Sequence, residues 1–141
     1  MEPTITAKVI ADSLSPAGKR ITTFVLEYPR FIHSEIMTHR MLSRGAASSR
    51  AIPTEKMLAR LREKPAMPVY WGANQKGMQA AEELAGAALE QSQIAWLGAR
   101  DEAMDWAAYL GTLGLHKQIA NRVLEPWLTI AVVCTATEWD N

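Results

Sequence analysis

The chain has 141 residues, 48% hydrophobic and 21% charged, which suits one globular domain with one core. Its 15 basic and 15 acidic residues cancel, which argues against broad, non-specific nucleic-acid binding by a basic surface. A single cysteine, Cys134, forbids an internal disulfide; with no signal-like N-terminus and no apolar run near the roughly 18 residues that span a membrane, a cytoplasmic protein is expected.

Ile5 to Leu14 is alternating and β-branched and reads as a strand. Ser15-Pro16-Ala17-Gly18 is a turn signal, and Arg20 to Tyr28 reads as a second strand, so an antiparallel hairpin is expected. Pro29 has no N–H to donate and should stop that strand. Phe31 to Leu42 repeats apolar residues at helical spacing and predicts a helix. Ser43 to Ser49 is small and polar and is expected to be a loop, with Gly45 letting backbone approach a ligand. A short helix is expected over Glu55 to Glu63, then an extended loop over Lys64 to Lys76 with its Pro65, Pro68 and Gly72.

Met78 to Gly98 and Arg100 to Leu113 are rich in helix formers and read as two helices. Gly114 separates them from a shorter helix, Leu115 to Leu124, which Pro126 should end. Leu128 to Thr137 is almost continuously apolar and reads as a strand buried on both faces. The order predicts an α+β fold: an antiparallel or mixed sheet, its N-terminal hairpin packed against several helices.

Chemistry concentrates between residues 30 and 50. Arg30, Arg40, Arg44 and Arg50, with His33 and His39, face one acid, Glu35. Guanidinium forks match phosphate and carboxylate in two-point contacts, and Ser43, Ser48 and Ser49 add hydroxyls. Such a segment suits a phosphorylated small ligand; a solvated basic helix and loop is the plain alternative. Glu35 and His39, four apart, should share a helix face, as an acid–base pair or a ligand contact. Without a third partner they define no metal site. Ser48 lacks a nucleophile-elbow context, so hydrogen bonding suits it better than nucleophilic attack. Cys134, in an apolar strand, reads as a buried structural thiol. His116, Lys117, Gln118, Asn121 and Arg122 form a second polar cluster; Arg122 either faces the Arg50 pocket or favours a helix C-terminus.

The run His39-Arg40-x-x-Ser43-x-Gly45-x-x-Ser48-x-Arg50 resembles the signature of the flavin-dependent thymidylate synthases, R-H-R-x-x-S-x-N-x-x-S-x-R. The flanks EIMTHRMLS, AASSRAIPTEKML, PVYWGANQKGMQA and HKQIANRVLEPW resemble its short, phage-type members, over nearly the whole chain. The resemblance implies one domain with the thymidylate synthase-complementing-protein fold. It implies conversion of dUMP to dTMP with FAD as cofactor and NADPH and methylenetetrahydrofolate as co-substrates. It also implies a homotetramer in the cytoplasm of a bacterium or phage-infected host, with sites built between subunits and no nucleic-acid, membrane or metal partner. By position, His39, Arg40, Ser43 and Asn141 resemble the family's flavin contacts. Glu35, Ser48, Arg50 and Arg122 resemble its nucleotide contacts, with Ser48 and Arg50 supplied by a neighbouring subunit.

The sequence departs from the pattern in four places. Thr38 replaces the first arginine, Gly45 an asparagine and Ala46 a common glutamate. The arginine that the family carries a few residues beyond the position of Asn141, against the pyrimidine, has no counterpart here, so a C-terminally truncated form is expected. These departures keep two other readings open: a non-catalytic nucleotide- or flavin-binding homologue, and an inactive fragment. An unrelated nucleic-acid module is disfavoured by the lack of stacking aromatics beyond Phe31.

Overall fold

A computed structural model describes residues 4–140. Four strands form one antiparallel sheet in the order β1-β2-β4-β3. β1 (Thr6–Leu14) and β2 (Arg20–Pro29) make the expected hairpin. Gly18 turns it at φ 80°, a left-handed conformation that a side chain would strain, and its N–H reaches the Ser15 carbonyl at 2.9 Å. The register shifts between Val9 and Ala11, a bulge in the edge strand. Pro29 closes β2 opposite Thr129, and the next N–H, of Arg30, donates to the Leu128 carbonyl at 2.8 Å.

Residues 30–42 are not one helix. A 3-10 turn over Arg30–Ile32 leads into a single short helix, α1 (His33–Met37), and the chain then turns through residues 38–42. Ser43–Ala46, expected as loop, is instead β3, paired with β4 from Ser43↔Thr135 to Ala46↔Val132. Its small residues carry little strand preference; the neighbouring ladder imposes the extended form.

After a 3-10 turn, Ser49–Ala51, comes α2 (Thr54–Glu63), with Glu55 in its first turn and Arg60 and Arg62 in its last, where each charge suits the helix dipole. A long loop follows. It doubles back through a Gly72–Glu83 bridge, where a Cβ on Gly72 would lie 2.3 Å from that of Ala80. The two expected central helices are one, α3 (Gly86–Thr112), about 40 Å long at 1.5 Å per residue. Residues 78–85 remain in the loop, and Gly98 does not break the helix. Gly114, at φ 80°, ends it: the Gly114 N–H bonds the Gly111 carbonyl and the Leu115 N–H that of Leu110. The expected helix to Leu124 is only α4 (Lys117–Ala120), continued as a 3-10 turn through Asn121–Trp127 that contains Pro126 rather than ending before it.

β4 (Thr129–Ala136) is buried on one face, not both: Ile130, Val132, Cys134 and Ala136 are covered, while Val133 is 45% exposed. The reason is one-sided packing. Tyr28, Ile130 and Val132 meet Ile32 and Ile36 of the α1 region. The opposite face carries polar pairs, Thr23–Thr135 at 2.8 Å and Thr129–Glu27 at 2.8 Å. A second core lies beyond the sheet, where Met57, Leu58 and Leu61 of α2 meet Met104 and Ala107 of α3 with Leu124, Trp127 and Leu128. Trp96 bridges to the loop: its indole N–H donates to Ala66 at 2.9 Å, and its ring packs near Trp71, Trp127 and Phe31. Among the described residues, no helix is long and apolar enough to cross a membrane.

Candidate functional site

The basic segment runs from the end of α1, along β3, to the turn at Ser49–Ala51. Arg44 shapes its first half. Arg44 lies opposite Cys134 in the register, and its Nη1 donates to the carbonyls of Ile36 at 3.0 Å and His39 at 2.6 Å. Both carbonyls also accept backbone N–H groups, that of Ile36 from His39 at 3.2 Å and that of His39 from Leu42 at 3.3 Å, so this guanidinium braces the turn that follows the short helix. Thr38 adds its hydroxyl to the Glu35 carbonyl at 2.7 Å. The helix therefore stops before His39, and Glu35 and His39 do not share a helical face. Glu35 accepts from Ser34 Oγ at 2.9 Å. His39, Arg40, Ser43 and Gly45 are all exposed. No hydrogen bond engages the side chains of His39, Arg40 or Ser43 among the described residues. Gly45 has an ordinary φ, and a Cβ there would meet nothing within 4 Å, so nothing in the chain itself requires a glycine.

The second half is anchored differently. Ser48 caps the 3-10 turn, its Oγ accepting from Arg50 N at 3.3 Å and Arg50 Nε at 3.4 Å. No imidazole or carboxylate reaches that hydroxyl among the described residues, so nothing activates it as a nucleophile. Ser48 and Arg50 are exposed, whereas Ser49 between them is buried. The buried Asn121 amide donates to the carbonyls of Ser49 and Ile52, and Lys117 Nζ donates to that of Ala51 at 3.1 Å. The Ser48–Arg50 turn is thereby tied to the segment bearing Arg122. Arg122 is half exposed and pairs with Glu125 at 3.2 Å, a carboxylate that also takes Arg30 Nε at 3.5 Å. Among the described residues, no hydrogen bond or ion pair links Arg40 to Arg50. Asn141 lies outside the described residues.

Behind the sheet-end turn, Tyr28 Oη and His33 Nδ1 are 2.7 Å apart. Burial, then the nearby Arg30 and Arg44, holds the His33 imidazole below its usual range. Burial pushes the Tyr28 phenol and the Cys134 thiol up, which keeps both protonated and makes Cys134 a packing residue.

The most prominent cavity, about 490 Å³, is lined by Glu27, Arg30, Ser49, Arg60 and Lys64 over Leu61 and Trp127. Arg30 and Ser49 of the basic segment line it, whereas none of the described residues matched to the family's flavin or nucleotide contacts does. Arg60 and Lys64 were missed because two cations four apart at a helix end look like a solvated terminus. Asn121 was visible only as a member of a polar cluster, since its partners lie far away in sequence.

No family model matches the chain, and no curated protein matches it. Its fold is shared with solved structures. One is a UMP/dUMP methylase, PolB from Streptomyces cacaoi, bound with 5-Br dUMP: TM-score 0.70, 16% identity, over 94% of this chain and 73% of that one. The same enzyme bound with 5-Br UMP gives TM-score 0.67 and 16% identity, over 96% and 73%. The α+β architecture with a four-stranded antiparallel sheet is thus a fold that this chain shares with those solved structures.

Proposed function

We propose that the chain binds dUMP and acts in its methylation to dTMP, as a thymidylate synthase of the flavin-dependent type. The observation that carries this reading is the likeness of the fold to a methylase crystallised with 5-Br dUMP. The exposed Ser48–Arg50 pair supports it: a hydroxyl and a guanidinium that, among the described residues, bond within the pair alone, on a turn whose backbone is pinned. The pair would take the phosphate with two-point, charge-assisted hydrogen bonds. Arg122 would add a second cation, and Glu35 would face the nucleotide.

The donor set also fits FAD. An imidazole, a guanidinium and a hydroxyl from His39, Arg40 and Ser43 stand exposed, and they suit a pyrophosphate and the polar edge of a flavin ring. Bound FAD, reduced by NADPH, would supply the hydride that turns the methylene carbon donated by methylenetetrahydrofolate into the methyl group. None of the three prominent cavities is lined by these residues, so their pocket would be finished by another subunit. Uncovered apolar surface supports that assembly. All of β1 is exposed, with Leu14 at 70%, and α3 presents Trp106 at 60% and Tyr109 at 52% to solvent. The family's homotetramer is the assembly we propose.

The test is direct. The purified protein is expected to be yellow, with flavin absorbance, and to oxidise NADPH faster when dUMP is added. Colourless protein that still binds dUMP would establish the non-catalytic binder instead.

A further inference from the structure

We infer that Asn121 is a positioning residue for the nucleotide phosphate, fixing the Ser48–Arg50 turn through its main chain. This rests on the nucleotide-binding reading above. Asn121 is 1% exposed, yet polar. Its Nδ2 donates to the Ser49 carbonyl at 3.1 Å and the Ile52 carbonyl at 2.9 Å, and its Oδ1 accepts from Thr54 Oγ1 at 2.8 Å. The amide orientation follows from its partners. Two carbonyls can only accept, so the nitrogen must face them, and the Thr54 hydroxyl then donates to the oxygen.

Packing alone would not call for an amide here, because an aliphatic side chain of similar size fills such a place without a polar group to satisfy. The turn it holds needs an external anchor. Ser49–Ala51 belongs to no sheet ladder, and its internal bonds, Ala51 N to Ser48 O and Ile52 N to Ser49 O, are both long at 3.4 Å. Asn121 grips the carbonyls on either side of Arg50. Ser49 is thereby turned inward, and the side chains of Ser48 and Arg50 are left facing out. Asn121 also precedes Arg122 in the chain, so one buried amide sets the place of both cationic arms.

The experiment compares dUMP with 2′-deoxyuridine, which lacks the phosphate, by ligand-observed NMR on the full chain. Asn121→Asp keeps the acceptor for Thr54 but turns an oxygen toward two carbonyls. We expect it to weaken dUMP binding about tenfold, the scale of one buried hydrogen bond lost, while deoxyuridine binding is unchanged. Thr54→Val, which removes only the bond that orients the amide, is the milder variant should Asn121→Asp fail to fold; about threefold selective weakening of dUMP is expected. Equal weakening of both ligands would mean general loosening and would overturn the assignment, as would unchanged dUMP binding in a folded variant. Wild-type protein that does not bind dUMP would sink the nucleotide reading itself, and this inference with it.

Discussion

Replacing Arg50 by alanine separates binding from folding. The side chain is exposed, and its sole hydrogen bond among the described residues, from Nε to Ser48 Oγ, is 3.4 Å long. Its loss should therefore change stability by no more than about 0.5 kcal/mol. A phosphate dianion met by a guanidinium fork gains roughly 1.5–3 kcal/mol per charged hydrogen bond. Two such bonds, discounted for an exposed site, total about 3 kcal/mol, or about 150-fold in dUMP affinity. Arg50→Lys keeps the charge without the fork and should lose about tenfold. Titration calorimetry at one fixed ionic strength reads the affinity, and thermal denaturation of the same samples reads the fold. Unchanged dUMP affinity in a folded Arg50→Ala protein would refute the reasoning.

Two further outcomes follow from the packing and the proton balance. Leu61 is 1% exposed at the centre of the helical core, so Leu61→Ala should cost about 3 kcal/mol and lower the melting temperature by about 10 °C, read by calorimetry; a shift of a degree or two would mean that this core is not close-packed. His33 is held below its usual range by burial and by Arg30 and Arg44, so the unfolded chain takes up its proton first, near about pH 6.5. Its contribution to stability is then complete above that pH and is lost as the pH falls through the lower folded value. Urea unfolding should show this acid-side loss in the wild type and a flatter profile in His33→Gln; identical profiles would contradict the assignment.

Where local signals agreed with the neighbours, the sequence was readable. The hairpin has two alternating strands around a Ser-Pro-Ala-Gly turn, and α2 follows a proline with one acid, Glu55, in its first turn and two arginines in its last. The rest depended on contacts that a local pattern cannot carry. The apolar spacing past Met37 looks helical, but Arg44 draws the Ile36 and His39 carbonyls into a turn. Ser43–Ala46 has no strand preference of its own and is extended because β4 lies beside it. A glycine costs a helix about 1 kcal/mol, and in α3 the residues around Gly98 outweigh that. At the candidate site, residue types were legible and supports were not. Arg50 and Ser48 could be nominated from the resemblance to the family signature, whereas the amide that holds them bonds carbonyls 72 and 69 residues away.

Glu125, held between Arg30 and Arg122, has an effect on what the surface can admit. Its carboxylate is an internal competitor: an incoming anion must outbid it for the Arg122 guanidinium. A singly charged solute such as chloride or a simple carboxylate offers Arg122 little more than it already has. A phosphate monoester, with nearly two charges near neutrality, would compete better for that guanidinium. On the nucleotide reading, the acid would thus act as a filter, tilting an arginine-bearing surface toward doubly charged ligands without shaping a pocket around them.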